Sequence, residues 1–386
     1  MRNRWGVLAI LFLVRLSMAF QFQSVAAVAP LLETTFGVSL ADIGLLIGLY
    51  FTPGVFLALP GGAIGARFGD KATALAALGL MMAGSLTMAL TDAWSFQIAG
   101  RLVAGIGGVL LGVQLTKMTT DWFAGKEIAT AMGIVINSWP TGIALSLLTL
   151  PAIGTAWGAP AVHLAVCAVV AVGIVLALLY RPPPVSGTVA SASARLDRST
   201  VTAVAIAGAI WGLFNVGFAM ILSFGPSLLV ERGWTTAAAG SAISLALWIS
   251  AISVPLGGAL ADRTGRPLTL LITGSLLFAV LLLLLTRSSA VISIVIAVGL
   301  VAGQPAGPIM SLPARVLAPQ TRAIGMGIFL TVFFGAMMLG PVIAGRLSAW
   351  TGSAAAALDL GALAVLACPL LLLLFERVAT SRAQPA

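Results

Sequence analysis

Two arginines lie inside apolar sequence: Arg15 within AILFLVRLSMAF and Arg101 within FQIAGRLVAGIGG. A guanidinium stays charged at any physiological pH and offers a planar fork of donors that matches a carboxylate. A charge at bilayer depth is costly, so it marks a pathway, a relay or a pair. The chemistry in prospect is reversible anion binding. Bond-making chemistry has no visible equipment: there is no HExxH, no phosphate-binding GKS/T loop and no serine-nucleophile elbow. Cys167 and Cys368 stand in apolar helix sequence without metal-ligand spacing. No cofactor is expected.

These arginines must be carried by membrane helices. Of 386 residues, 60% are hydrophobic and 8% charged, where a soluble domain carries about a quarter charged. A spanning helix needs about 20 apolar residues. Twelve such stretches begin near Trp5, Ala41, Ala72, Trp94, Glu127, Gly158, Thr200, Ala237, Leu268, Ala290, Arg322 and Ser353. GGAIGARFGDK at Gly61–Lys71 returns as GGALADRTGRP at Gly257–Pro267, an offset of 196 residues that also pairs Pro30 with Pro226 and Gly37 with Gly233. The expected fold is therefore all-α, with two pseudo-symmetric six-helix halves, residues 1–180 and 200–386. The polar, Pro- and Ser-rich segment 181–199 joins them.

Charge placement supplies the topology. With the N-terminus inside, 15 of the 20 Lys and Arg residues fall in inner loops or ends and three (Arg232, Arg287, Arg346) in outer loops. That bias puts both termini in the cytoplasm of a multi-pass protein, in the plasma (bacterial inner) membrane. The net charge of +9 is dispersed through short loops and forms no patch for nucleic acid. The first 20 residues mimic a signal peptide, but Arg15 breaks the apolar run and Pro30 belongs to the repeat, so an uncleaved first helix is expected.

Depth and face then select candidates. Arg15 lies about ten residues into the first helix, roughly 15 Å from the inner surface; Arg101 lies about 10 Å from the outer surface in the fourth. Gly105, Gly108 and Gly112 follow Arg101 on one helix face. The strip serves close packing, room for a ligand beside the guanidinium, or both. The offset maps Arg15 onto Trp211 and Ala19 onto Asn215, so these positions oppose each other at similar depth. Arg15 is read as a ligand contact or a structural donor, with Gln23 two turns on; Trp211 lines a cavity or packs. Asn215, Gln304 and Asn137 are amides that line or bridge.

Glu33, Asp42, Asp92, Asp121, Glu127 and Glu231 fall at helix ends or loops, and Asp359 alone lies within a span, the peripheral twelfth. His163 is expected at the outer interface and Lys117 as a snorkelling interfacial lysine. Unpaired arginine in a low-dielectric cavity wants an anion. The expected partners are membrane lipid and a small anion, an organic carboxylate whose apolar part meets Trp211, bound by a monomer.

GGALADRTGR, with Gly258, Asp262, Arg263, Gly265 and Arg266, resembles the loop motif of the major facilitator superfamily between helices eight and nine. The first-half copy keeps Gly62, Arg67, Gly69 and Lys71, but Ala66 replaces the aspartate and Asp70 a basic residue. RLVAGIGG at Arg101–Gly108 is similar to the family's RxxxGxG pattern, and DWFAGKEIATAMG at Asp121–Gly133 follows in the expected order. The resemblance implies a transporter, not an enzyme. Two rocking halves would enclose a cavity lined by helices 1, 4, 7 and 10, with 3, 6, 9 and 12 outside. It also implies that Arg101 has a conformational or proton-linked role and that Asp262 meets the start of helix five around Lys126–Ile128. Other readings are a nitrate- or cyanate-type permease, a drug exporter, and a receptor or scaffold. Trp139 in NSWPTG stands where exporters carry glycine, which disfavours export.

Overall fold

The computed structural model describes residues 4–58, 60–123, 128–182, 196–317 and 321–381. They are all-α, in the order α1 Arg4–Ala27, α2 Ala29–Phe36, α3 Leu40–Leu49, α4 Thr52–Leu57, α5 Gly61–Phe68, α6 Asp70–Ala89, α7 Trp94–Phe123 and α8 Ile128–Leu179. There follow α9 Arg198–Glu231, α10 Thr236–Thr264, α11 Pro267–Arg287, α12 Val291–Ala302, α13 Ala306–Ser311, α14 Arg322–Thr351 and α15 Ala355–Ser381. The twelve expected spans are present. α8 holds two of them, because Gly158 breaks the helix with φ 80° and ψ 178°, a backbone that side chains beyond glycine rarely adopt. Residues 183–195 of the expected linker lie outside the described residues.

Two spans are pieced where one continuous stretch was expected. Helix two is α3, α4 and α5, with Pro53 and Pro60 at the starts of the later pieces. Proline has no N–H for the carbonyl four residues back and its ring crowds it. Helix ten breaks likewise into α12, α13 and a 3-10 turn, Leu312–Arg315, around Pro305 and Pro313. Helices four and eight, their repeat counterparts, run unbroken as α7 and α10.

Contacts divide the chain into two compact units: Met1–Val38 with Leu49–Ala190, and Ser39–Gly48 with Ser191–Ala386. In the first, α1 packs along α8 and α6 along α7; in the second, α9 packs on α15 and α14. Lipid tails are as apolar as leucine, so close packing rather than water exclusion holds such helices together. Small residues permit it: a Cβ on Gly100 would sit 2.6 Å from the Gly84 carbonyl. Some hydroxyls inside the spans are satisfied on their own helix, as where Thr119 donates to Leu115 O (2.7 Å) and Thr116 to Gly112 O (2.9 Å). Leucines and valines are exposed along the sixth (Val172, Val175), ninth (Leu277, Val280) and twelfth helices (Leu370, Leu373), the faces a bilayer would cover.

Candidate ligand site

Arg101 is 1% exposed. Its Nη1 donates to Gln21 O (3.1 Å) and its Nη2 to Phe22 O (2.6 Å), both on α1. The guanidinium also lies over Tyr50, 4.6 Å from the ring centroid, and 5.7 Å from that of Phe22. The glycine strip faces the same tyrosine. A Cβ on Gly105 would come within 2.5 Å of Tyr50 O, and one on Gly108 would collide with the phenol. At Gly105 and Gly108 the strip thus serves close packing against Tyr50. Gly112 meets only Met18, at 3.7 Å. Tyr50 Oη donates to Met18 O and Gln21 Oε1 (3.4 Å each), and Gln21 Nε2 donates to Met81 O and Ser85 Oγ (2.7 Å each).

Sequence reading passed over Tyr50 and Gln21. The signal available was Tyr50's rarity, one of two tyrosines in the chain. Gln23 is fully buried. Trp139 stacks on Phe22, with centroids 5.3 Å apart and planes at 25°.

His163, expected at the outer interface, is 2% exposed. Ala159, Val162, Val166, Cys167 and Val170 are buried with it, a stripe with the helical repeat. The turn at Gly158 places that stripe against the bundle.

Arg15 behaves differently. It is half-buried on α1, and its Nε is shielded from solvent and makes no hydrogen bond among the described residues. α1 packs closely on α8 here: a Cβ on Gly142 of α8 would meet Leu16 O at 2.5 Å and Ala19 Cβ at 2.8 Å. Several described carboxylates are engaged elsewhere. Asp359 accepts from Arg287 (2.8 and 3.1 Å) and from Thr286 Oγ1 (3.0 Å). Glu376 pairs with Arg315 at 2.5 Å. Lys117, expected to snorkel, pairs with Asp70 and with Asp121 (3.1 Å). The acid at position 70 that departs from the loop motif thus has its counter-ion on α7.

In the second unit, Trp211 is half-buried and stacks with Phe214 (6.2 Å, 17°) and Phe333 (6.3 Å, 29°), while Phe333 meets Phe334 edge-on at 5.2 Å. The two α14 phenylalanines were not anticipated. Asn215 Nδ2 donates to Trp211 O (2.8 Å) and Gln304 Nε2 to Leu300 O (3.3 Å), so both amides are partly bound on their own helices.

The loop motif's glycines have a backbone reason. Gly69 and Gly265, related by the repeat, have φ 86° and 61°, the left-handed region that favours glycine. Gly62 lies in α5, Arg67 stacks over Phe68 at 5.5 Å, and Arg263 and Arg266 are exposed. A Cβ on Gly258 would meet nothing within 4 Å. The Asp262 side chain and Lys126 lie outside the described residues.

Comparison with known proteins places the chain. The profile described as Major Facilitator Superfamily matches residues 11–227 and again 200–386. The chain is 26% identical over 358 residues to the 3-(3-hydroxy-phenyl)propionate transporter of Escherichia coli, covering 89% of this chain and 86% of that one. It is 36% identical over 116 residues to azole resistance protein 1 of Saccharomyces cerevisiae, covering 30% and 18%. A crystal structure of a POT family transporter in complex with a thioalcohol-conjugated peptide shares the fold, with TM-score 0.77, 15% identity and coverage of 97% and 96%.

Proposed function

We propose, from the premise that the chain belongs to the major facilitator superfamily, that it moves a small organic carboxylate across the membrane by alternating access. The observation that carries this reading is Arg15, a half-buried guanidinium whose Nε has no partner among the described residues. A cation held so is stabilised by an anionic ligand that brings its own acceptors. The rings of Trp211 and Phe333 suit a ligand with an apolar body, and the Escherichia coli relative is named for a phenylpropionate. On this reading Arg15 grips the carboxylate, Trp211 meets the apolar part, and Asn215 and Gln304 supply polar contacts. Arg101 and Gln23, both buried, support the first unit from behind. Nitrate or cyanate would satisfy the arginine and leave the rings without a role. Drug export is favoured only by the azole resistance match, which covers 18% of that protein.

We read the carrier as a monomer in a bacterial inner membrane, with both termini cytoplasmic by the charge bias of its loops. Asp262 serves the inner gate. The test is a thermal-shift panel on the purified protein with 3-phenylpropionate, nitrate, cyanate and tetraphenylphosphonium. A ligand that prefers the native state stabilises it by about 2.7 kcal/mol at one hundred times its Kd. The expected result is a rise with 3-phenylpropionate alone; a rise only with the lipophilic cation overturns the reading in favour of export.

Coupling follows from the same inventory. Arginine does not deprotonate in the working range, and Asp359 is tied to Arg287. Exchange or facilitated diffusion is therefore expected, with any proton riding on the substrate. Uptake by proteoliposomes should rise with internal substrate and stay within about two-fold of wild type in Asp359→Asn, as befits an exposed ion pair. Accumulation driven by a pH gradient and lost in Asp359→Asn would make helix twelve the proton carrier.

A further inference from the structure

We propose that Tyr50 is the pivot of a hinge in helix two, with Arg101 as the clamp that holds it. Three observations meet at this residue. First, the helix is interrupted there: α3 ends at Leu49, Tyr50 and Phe51 form a turn, and α4 begins at Thr52 with Pro53 as its second residue. Pro53 has no N–H for the Leu49 carbonyl, so the rung that would stiffen the join is missing. Such a join absorbs a change in φ and ψ at less cost than a continuous helix.

Second, the division of the chain into compact units changes sides at this join. Ser39–Gly48 belongs with the second unit and Leu49 onward with the first. Within the second unit α3 lies against α14 through glycines: a Cβ on Gly44 would be 2.9 Å from Gly345 Cα, and one on Gly48 would be 3.0 Å from Val342 Cγ2. The outer segment of helix two thus docks on α14 at backbone distance, with a Cβ on Gly48 also 2.4 Å from Met338 O.

Third, the residue at the join is itself immobilised. Tyr50 is 2% exposed. Its ring lies under Arg101 and beside Phe22 (5.4 Å), and its hydroxyl reaches Met18 O and Gln21. Its carbonyl rests where Gly105 has no side chain. One end of the join is fixed by a cation and the other is attached to a segment that packs elsewhere, which is how a pivot is built. The clamp needs a planar guanidinium, because the same group must stack on the ring and reach two adjacent α1 carbonyls.

The experiment reads the outer segment directly and needs no substrate. Cys167 and Cys368 are buried, so a cysteine placed at Ala41, beside Gly345, can be labelled by a membrane-impermeant maleimide in proteoliposomes. Relative to Ala41→Cys alone, Tyr50→Leu and Arg101→Gln are each expected to change the labelling rate by about ten-fold, the scale of a shifted two-state population. Tyr50→Phe, which keeps the ring under the guanidinium, should label like the parent; Arg101→Lys should not rescue. A purely structural role would lower the melting temperature and leave labelling unchanged. Should Arg101→Gln fail to fold, Tyr50→Leu decides alone: labelling within about two-fold of the parent overturns the pivot.

Discussion

Arg15→Gln is expected to abolish carboxylate uptake while leaving the protein folded. The two halves of that result have separate causes. Arg15 Nε makes no hydrogen bond among the described residues, so its removal takes little from the packing of α1. The ligand loses the cationic partner that grips it, and leaving a buried charge unpaired costs about 3–5 kcal/mol, roughly a hundred- to several-thousand-fold in affinity. Arg15→Lys should recover little, since an ammonium is a point charge where a planar fork is needed. Uptake of labelled 3-phenylpropionate by proteoliposomes, beside melting curves of the same preparations, checks both halves. Uptake within about two-fold of wild type in Arg15→Gln would remove Arg15 from the site.

The second large effect concerns the fold. Gly100 and Gly84 press α7 onto α6 so closely that each backbone occupies the other's side-chain space. A Cβ on Gly100 would be 2.6 Å from Gly84 O and 2.7 Å from Met88 Cγ, and one on Gly84 2.7 Å from Ala104 N. The obstacle is backbone, which cannot rotate away. Gly100→Leu should therefore lower stability by about 1–3 kcal/mol through overpacking, with a fall in melting temperature of roughly 1–4 °C for a chain of this length. Gly79→Leu on α6 is the control, because a Cβ there meets nothing within 4 Å, and it should melt like wild type. Size-exclusion profiles and melting curves of the two variants decide the point; equal behaviour would mean that α6 and α7 can separate without loss.

The two arginines show how far a sequence reading reaches. Both were identified as membrane-embedded cations by the apolar residues on either side, a local property. Their roles diverge in the structure because Arg101 meets α1 carbonyls 79 and 80 positions earlier, whereas Arg15 makes no such bond among the described residues. Lys117 followed the same course: its neighbours suggested an interfacial lysine, and its partner Asp70 lies 47 residues away. His163 was the exception that local pattern did contain, since the buried stripe through Val162 and Val166 repeats at helical spacing.

Composition, period and backbone chemistry are legible along the chain. Twelve spans follow from runs of apolar residues, the internal duplication from the 196-residue offset, and the inner-loop turns from glycines whose counterparts at Gly69 and Gly265 both need positive φ. Which faces meet emerges only in the packed helices. In lipid, nearly every side chain of a spanning helix is apolar, so the contrast between inner and outer faces that marks a soluble helix is weak. The choice falls to steric fit: a glycine opposite a carbonyl, or Tyr50 against Gly105 and beneath Arg101. Such fits join residues far apart in the chain, and no local window contains both members.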